Sequence, residues 1–339
     1  MAGSEACGGG VKIIDATLRE GVQTPGVTFD SDASRRIAAA LSAICVDMIE
    51  CGHPAAGRGE QDRIAAARSA TDLPILAHAR ADRADIRAVA RSGAEWVGVF
   101  IGVNEVSRTA RLSARVAHDL GGRIVAAMKE AKDLGLCVRF TVEDASRTPM
   151  EELEATFARA IDAGADRICW ADTVGLGTPE TVGGAITALK SAFPSTPLEL
   201  HLHDDRGLAL ASALSGAAAG ADWVSTTVNG LGERCGVVDT LQLLLNLRLE
   251  GQAPDRTPSG EAIAAARDIV AEAAGIPVSP QRAFTGAFAF KHTSRLHRLA
   301  AARDRGAYEA IDPRWTGAES DEGPERPQSD ARPVAAAKA

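Results

Sequence analysis

The chain has 339 residues, of which 45% are hydrophobic and only 4% aromatic, so a large core of Ala, Val, Leu and Ile is expected. A net charge of −8 without any basic block argues against nucleic acid or an anionic membrane surface as a partner. The six cysteines form no CxxC pair, which is typical of reduced thiols and favours a cytoplasmic location.

Eight short apolar runs recur along the chain, separated by amphipathic stretches. The runs predict strands at residues 11–16, 46–51, 73–79, 96–101, 137–143, 167–172, 198–203 and 223–228. The stretches between them predict helices at residues 31–44, 83–92, 110–134, 150–163, 179–193, 208–219 and 237–247. Strict alternation indicates an α/β fold with a parallel sheet, and eight units predict closure into a (β/α)8 TIM barrel. A doubly wound open sheet is the alternative, but no Gly-rich dinucleotide loop follows the first strand.

The composition divides the chain into four regions. Residues 1–10 are expected to be a flexible N-terminus, and residues 11–250 a catalytic barrel. Residues 251–313 are expected to form a helical lid or dimerisation appendage, with helical segments at 259–274 and 277–305. The tail, residues 314–339, is rich in Gly, Pro and charged residues and is expected to be disordered.

The stretch LELHLHDDRG, residues 198–207, carries two histidines at the end of the seventh predicted strand. His201 and His203 stand at positions i and i+2, so both imidazoles leave the same face of the strand. Together with a carboxylate they suit a divalent cation, although two hydrogen-bonded histidines would give the same spacing. Glu20, after the first strand, is the best candidate for a third ligand, and Asp15 is the next.

Further polar residues stand at or just past the ends of the other predicted strands. In (β/α)8 barrels the chemistry lies at the C-terminal ends of the strands. The polar residues expected there are Arg19, Glu50, His78, Arg80, Arg139, Thr141, Glu143 and Thr173. Taken singly, each could cap a helix or pair across the rim. Their concentration at one end of the predicted barrel indicates an active site.

Five motifs carry a family likeness: TLREG, VEDASR, ADTVG, HLHDD and NGLGERCG, in this order. They resemble the DRE-TIM metallolyase superfamily and, within it, the homocitrate synthase and 2-isopropylmalate synthase branch. The resemblance runs from residue 11 to residue 313. It implies a Claisen condensation, in which acetyl-CoA is deprotonated, its carbanion attacks the ketone of a 2-oxo acid, and the thioester is hydrolysed. The LREG variant is typical of homocitrate synthases of the lysine pathway.

The resemblance also implies roles for individual residues. It places a divalent metal ion (Zn²⁺, Mn²⁺ or Mg²⁺) on Glu20, His201 and His203, where the ion would chelate the 2-oxo acid. Arg19 follows the arginine that stands beside the ketone, where alkoxide charge grows in the transition state. Glu143 matches the catalytic glutamate of the family.

The same likeness indicates how the tail of the 2-oxo acid is chosen. Arg139 matches an arginine that meets a distal carboxylate, with His78, Arg80 and Thr141 as further substrate contacts, and Thr173 matches a threonine near the substrate carboxylate. An anionic tail is therefore expected, with 2-oxoglutarate first. Phosphonopyruvate or a related analogue is the second possibility and oxaloacetate the third. A retro-Claisen or aldol lyase and a non-catalytic barrel are the other functions considered.

The appendage carries one more match, FKHTSRLH at residues 290–297, followed by Tyr308. In the family this segment supplies a catalytic His and Tyr from the partner subunit, which help with proton transfer at acetyl-CoA. The resemblance therefore implies catalytic roles for His297 and Tyr308, and a homodimer with a lid contributed in trans. Arg295 departs from the family, which has a small Gly there. The alternative is a surface histidine and a packing tyrosine.

Overall fold

Eight parallel strands form a closed barrel in the computed structural model, which describes residues 10–252 and 257–318. The strands are β1 (Lys12–Asp15), β2 (Met48–Glu50), β3 (Ile75–Arg80), β4 (Trp96–Gly102), β5 (Cys137–Glu143), β6 (Arg167–Asp172), β7 (Leu198–Leu202) and β8 (Trp223–Thr226). Each pairs with its neighbour in chain order, and β8 pairs with β1 to close the sheet. The predicted (β/α)8 barrel is therefore confirmed.

Eleven helices are present in the described part of the chain. They are α1 (Ser31–Ala43), α2 (Arg58–Arg68), α3 (Arg83–Ser92), α4 (Ala114–His118), α5 (Leu120–Asp133), α6 (Met150–Asp162), α7 (Pro179–Ala192), α8 (Ala209–Ala218), α9 (Thr240–Leu249), α10 (Gly260–Ala274) and α11 (Arg295–Arg303). No helix in these described ranges is long and apolar enough to cross a membrane.

One helix was not among the predicted segments, and two predicted helices need correction. Helix α2 was not predicted, because Ile64 is the only large apolar residue in its sequence. The single helix predicted at 110–134 is two helices, interrupted at Asp119, whose side chain caps the second one at Gly122. The helical segment predicted at 277–305 is helical only in α11.

The chain turns sharply before α11, and Gly286 allows this turn because it has no side chain. A Cβ atom there would lie 2.5–2.7 Å from the backbone of Pro280 and Arg282, so the chain doubles back where only glycine fits. Past the expected end of the appendage, residues 313–316 form a 3₁₀ helix, and Trp315 packs 3.8 Å from the Arg248 guanidinium. The predicted N-terminal segment up to residue 9 and the tail from residue 319 lie outside the described residues.

The main apolar core lies between the sheet and the surrounding helices. Inside the barrel, Ile14, Met48 and Leu76 pack against Trp96 and Trp223 at the N-terminal ends of the strands. Side chains two residues further along the strands also point inward. Many of these are charged or polar, and they form the base of the site described next.

Candidate metal and substrate site

The turn after β1 is fixed by hydrogen bonds before it presents any functional side chain. The carboxylate of Asp15 accepts from the Thr17 backbone N–H at 2.8 Å, and the Thr17 hydroxyl accepts from the Val228 N–H at 2.9 Å. The backbone N–H groups of Arg19 and Glu20 both donate to the Ala16 carbonyl. This tight turn holds Arg19 and Glu20 at the C-terminal mouth of the barrel.

Glu20, His201 and His203 come together as a group that could hold a metal ion. One ligand atom from each lies within 4.8 Å of the others, and all three residues are buried. His201 Nε2 lies 4.0 Å from Glu20 Oε2, while His201 Nδ1 lies 3.0 Å from the Ser225 hydroxyl. One carboxylate and two imidazoles form a donor set that suits a divalent ion and leaves positions for a substrate. The residues present therefore fit such an ion.

Electrostatics favours neutral imidazoles in this group. Burial, followed by the nearby charge of Arg19, lowers the pKa of His201 well below its ordinary value. Burial also lowers the pKa of His203, against the opposing effect of Glu20. Both rings can therefore offer a lone pair at neutral pH, as a metal ligand must.

Asp15, the second candidate for the carboxylate ligand, does not join the group. Ile14 faces the barrel interior, so the next side chain along β1 points to the outer face of the sheet. There the Asp15 carboxylate accepts a 2.6 Å hydrogen bond from the Thr240 hydroxyl. Strand parity thus leaves Glu20 as the carboxylate of this site.

A cavity of about 390 Å³ opens beside the three candidate ligands. The predicted site residues that line it are Arg19, Glu20, His78, Arg139, Thr141, Glu143, Thr173, His201 and His203. Cavity residues that were not predicted include His53, Glu60, Arg63, Phe100, Cys169 and Glu233. The motif CGHP at the end of β2 was the sequence signal for His53, since it follows Glu50 at a strand end.

Arg139 lies at the base of the cavity with only 2% of its surface exposed. Its Nη1 donates to both Glu50 and Glu199, at 2.8 Å each, and its Nη2 donates to Glu50 at 3.2 Å. Gly98 makes room for it, because a Cβ atom there would lie 2.6 Å from Nη2. Protein carboxylates already engage the guanidinium, so its role as the receptor of a distal carboxylate stays a prediction.

Arg19 is held between two carboxylates. Its Nη1 contacts Glu20, and its Nε donates to Glu50 at 2.8 Å. Burial alone would raise the pKa of Glu50, but Arg139 and Arg19 together bring that pKa well below its ordinary value. Glu50 is therefore an ionised anchor for both arginines.

His78 and Glu143 face the cavity from β3 and β5. The imidazole of His78 stacks on Phe100 at 4.4 Å, and burial lowers its pKa to about 4. Burial raises the pKa of Glu143, which Arg111, 3.9 Å away, opposes. A carboxyl with a raised pKa is suited to proton transfer.

Two threonines were predicted to contact the substrate. The Thr173 hydroxyl accepts from the Asp144 backbone N–H at 2.8 Å, which holds it at the rim. The Thr141 hydroxyl is buried and has no hydrogen-bond partner among the described residues. Thr141 therefore has spare hydrogen-bonding capacity beside the cavity.

Arg80 does not line the cavity, contrary to the prediction. Its side chain is 66% exposed, and its Nε and Nη2 donate to the two carboxylate oxygens of Asp85 at 2.7 and 2.9 Å. This buried carboxylate holds the guanidinium outside the cavity, so Arg80 is not part of the candidate site.

His297 and Tyr308 lie together, with ring centroids 4.1 Å apart, but neither lines the cavity of its own chain. Tyr308, which follows α11, is 45% exposed, and Leu296 and Leu299 on α11 are 69% and 50% exposed. The predicted pair therefore exists, on a segment that faces outward.

The fold and the site together define a class: a (β/α)8 barrel with a candidate divalent-metal site at the C-terminal mouth. The family model described as HMGL-like matches residues 10–270, and the chain belongs to that family. This confirms the likeness to the DRE-TIM enzymes.

Curated relatives narrow the comparison. The chain is 35% identical to homocitrate synthase AksA of Methanopyrus kandleri, over 91% of this chain and 77% of that protein. It is 37% identical to the homocitrate synthase of Pyrococcus abyssi, over 88% of this chain and 82% of that protein. The chain is a homocitrate synthase-like condensing enzyme, an acyltransferase.

Solved structures support the fold. The hydroxymethylglutaryl-CoA lyase of Pseudomonas aeruginosa matches with a TM-score of 0.70 at 21% identity, over 87% of this chain and 98% of that chain. The HMG-CoA lyase of Bacillus subtilis matches with a TM-score of 0.68 at 21% identity, over 80% of this chain and 96% of that chain. At this identity the likeness concerns the barrel alone.

Proposed function

We propose that the enzyme condenses acetyl-CoA with a 2-oxo acid that bears an anionic tail, with 2-oxoglutarate as the first candidate and homocitrate and CoA as products. The single observation that carries this proposal is the convergence of Glu20, His201 and His203 beside a cavity lined by Arg19 and Glu143. The naming of the curated relatives supports it.

The side chains that line the cavity have different chemical roles. A divalent ion bound to Glu20, His201 and His203 would supply a Lewis acid for the ketone. Arg19 donates hydrogen bonds to the oxygen that gains negative charge as the carbon–carbon bond forms. Glu143 is the proton-transferring carboxyl within the cavity.

The tail of the 2-oxo acid extends toward the β3–β5 side of the cavity. His78 and Thr141 offer polar atoms there, and Arg139 supplies positive charge that Glu50 and Glu199 balance. Thr173, just past β6, binds the carboxylate next to the ketone.

We also propose a homodimer in which the appendage of one subunit completes the site of the other. His297 and Tyr308 would then act at the methyl group of acetyl-CoA. Exposed Leu296 and Leu299 on α11 support this arrangement, because an isolated chain would leave that apolar surface in water.

The deciding experiment is a panel of 2-oxo acids with acetyl-CoA, in which CoA release is followed with a thiol reagent. The metal-stripped enzyme is reloaded in turn with Zn²⁺, Mn²⁺ and Mg²⁺. We expect 2-oxoglutarate to give the highest kcat/KM, ahead of phosphonopyruvate and oxaloacetate. Best turnover of 2-oxoisovalerate would refute the anionic tail, and cleavage of a 3-hydroxyacyl-CoA without condensation would point to a lyase.

Glu20→Gln tests the metal group within the same assay. Loss of the charged ligand is expected to weaken metal affinity and to lower kcat/KM by about 10- to 100-fold. Asp205→Asn is the matched control, since Asp205 lies near His203 but pairs with Arg234 outside the group. Equal metal affinity in Glu20→Gln and wild type would remove Glu20 from the site.

A further inference from the structure

Two buried charged residues beneath the cavity take no part in the proposed chemistry. Glu199, on β7, is fully buried, and Arg167, on β6, is 1% exposed. Arg167 Nη1 lies 3.2 Å from Glu199 Oε2, while Glu199 Oε1 accepts from Arg139. Burying a charge is costly unless a partner of opposite sign lies close by. These two residues therefore belong to a larger arrangement.

Arg167 is anchored at the N-terminal ends of the strands by aromatic rings. Its guanidinium carbon lies 3.9 Å from the ring centroid of Trp223 and 4.5 Å from that of Trp96. Its Nη2 also donates to the Met48 sulfur at 3.3 Å. Such cation–π contacts restrict the guanidinium to one place. It is a fixed cation some way below the cavity.

From this cation a line of alternating charges runs up the barrel interior, which we call the buried charge chain. Its members in order are Arg167, Glu199, Arg139, Glu50, Arg19 and Glu20. Three positive and three negative charges cancel, and every inner member contacts a neighbour on each side. The last member is a candidate metal ligand. A change at the lower end can therefore reach Arg19 and Glu20 through the shared carboxylates.

Neighbouring members of the buried charge chain share carboxylates and guanidinium groups. The contacts near the mouth of the barrel therefore depend on those near its base. Glu50 Oε2 accepts from Arg139, whereas Glu50 Oε1 accepts from both Arg19 and Arg139 and lies 2.9 Å from His78 Nδ1. Arg139 in turn divides its donors between Glu50 and Glu199. Without Arg167, Glu199 would be balanced by Arg139 alone and would draw it away from Glu50. Glu50 would then attract Arg19 more strongly, which pulls Arg19 from Glu20 and the cavity.

We propose that Arg167 is a positioning residue that sets the placement of Arg19 and Glu20 through the buried charge chain. The inference rests on the proposed function, because the roles of Arg19 and Glu20 belong to it. Arg167 itself touches no substrate. Its effect should appear in binding at the ketone and in metal affinity, and not in the binding of acetyl-CoA.

The test uses Arg167→Met, Arg167→Lys and the double variant Arg167→Met/Glu199→Gln in the full-length enzyme. Arg167→Met is expected to raise KM for the 2-oxo acid and to weaken metal affinity, each about tenfold, with KM for acetyl-CoA unchanged. The double variant removes one charge of each sign, so most of both losses should be recovered. Arg167→Lys keeps the charge and should lie between Arg167→Met and wild type.

Lys12→Met is the matched control. The Lys12 ammonium lies 5.5 Å from the same Trp223 ring but is exposed and outside the buried charge chain, so wild-type values are expected. A chelating dye measures metal affinity without any turnover. This readout still decides the inference if no 2-oxo acid is condensed, an outcome that would refute only the proposed function.

Two results would overturn the inference. One is a folded Arg167→Met enzyme with the KM and metal affinity of wild type. The other is a double variant as impaired as Arg167→Met, since loss of packing rather than of charge balance would then explain the defect. If Arg167→Met does not fold, wild-type values for Arg167→Lys and for Glu199→Gln would count equally against it.

Discussion

Glu143 combines a position in the cavity with a carboxyl whose pKa is raised by burial. We expect Glu143→Gln to lower kcat for CoA release by roughly 10²- to 10⁴-fold, the usual contribution of a general acid or base. Metal affinity should not change, because Glu143 lies outside the group of candidate ligands. Glu151→Gln, at an exposed carboxylate on α6, is the control. A variant nearly as active as wild type would exclude Glu143 from proton transfer.

The raised pKa of Asp15 predicts how the free energy of unfolding changes with pH. Burial raises its pKa from 3.8 to about 6 against the hydrogen bonds from Thr240 and Thr17. Between these values the folded protein holds a proton that the unfolded chain has released. The free energy of unfolding therefore falls with rising pH across this interval, by roughly 3 kcal/mol for this group, and is constant above it.

Urea titrations of wild type and Asp15→Asn from about pH 4 to about pH 7 measure this effect. The variant lacks the group, so its stability relative to wild type should increase as the pH rises toward 6 and then level off. Asp133→Asn, at an exposed carboxylate, should show no such trend. A constant difference between Asp15→Asn and wild type would mean that Asp15 titrates normally in the folded protein.

The position of a side chain in the site could be predicted from the sequence where it depends only on strand alternation and on a place at the end of a strand. His201 and His203 are of this kind, since their spacing alone places both rings on one face. Arg80 was wrongly assigned to the cavity, because the sequence does not reveal its ion pair with Asp85 outside the cavity. The contact of Arg167 with Glu199 was also out of reach, because it depends on the register between β6 and β7, which places Cys169 rather than Arg167 opposite Glu199.

Asp239, at the start of α9, makes one of the contacts that join the appendage to the barrel. Asp239 Oδ1 caps the helix by accepting from the Leu241 N–H at 2.8 Å, and Oδ2 accepts from Arg282 Nε at 2.6 Å. Asp239→Asn keeps a cap but loses the ion pair, so segment 277–292 should become more sensitive to proteolysis with little change in Tm. Asp239→Ala should also lose about 0.5–2 kcal/mol of stability with the cap.

Arg282→Gln should reproduce the proteolysis of Asp239→Asn, since it breaks the same contact from the other side. Arg314→Gln is the control, because that exposed arginine pairs only locally with Asp312. Unchanged cleavage of segment 277–292 in both Asp239→Asn and Arg282→Gln would show that other contacts hold the appendage.

Strands and helices could be predicted from the sequence where their apolar runs were long enough. Each strand is an apolar run between helices, so all eight were found within a few residues of their bounds. Helix α2 was missed because Ile64 and small alanines provide its apolar face. The segment before α11 was predicted as a helix because its sequence pattern does not reveal that the chain folds back on Pro280 and Arg282 at Gly286.

The kind of side chain inside the barrel changes along the barrel axis. Apolar and aromatic side chains close the N-terminal end, and the candidate ligands lie at the mouth. The buried charge chain connects the two ends, from Arg167 to Glu20. Alternation of strands and helices predicted the barrel, but the sequence alone does not show how charges inside it are balanced. In the proposed homodimer the outward-facing appendage of a second subunit would complete the site, which subunit mixing can test.

Mixing two inactive variants tests whether active sites are shared between subunits. His297→Ala has an intact barrel and a defective appendage, whereas Glu143→Gln has the reverse. In a random mixture half of the dimers are mixed, and each of these would hold one site with both parts intact. We therefore expect co-refolded subunits to recover about one quarter of wild-type activity if the appendage acts in trans. Activity that stays at the level of the two separate variants would show that each chain uses its own appendage.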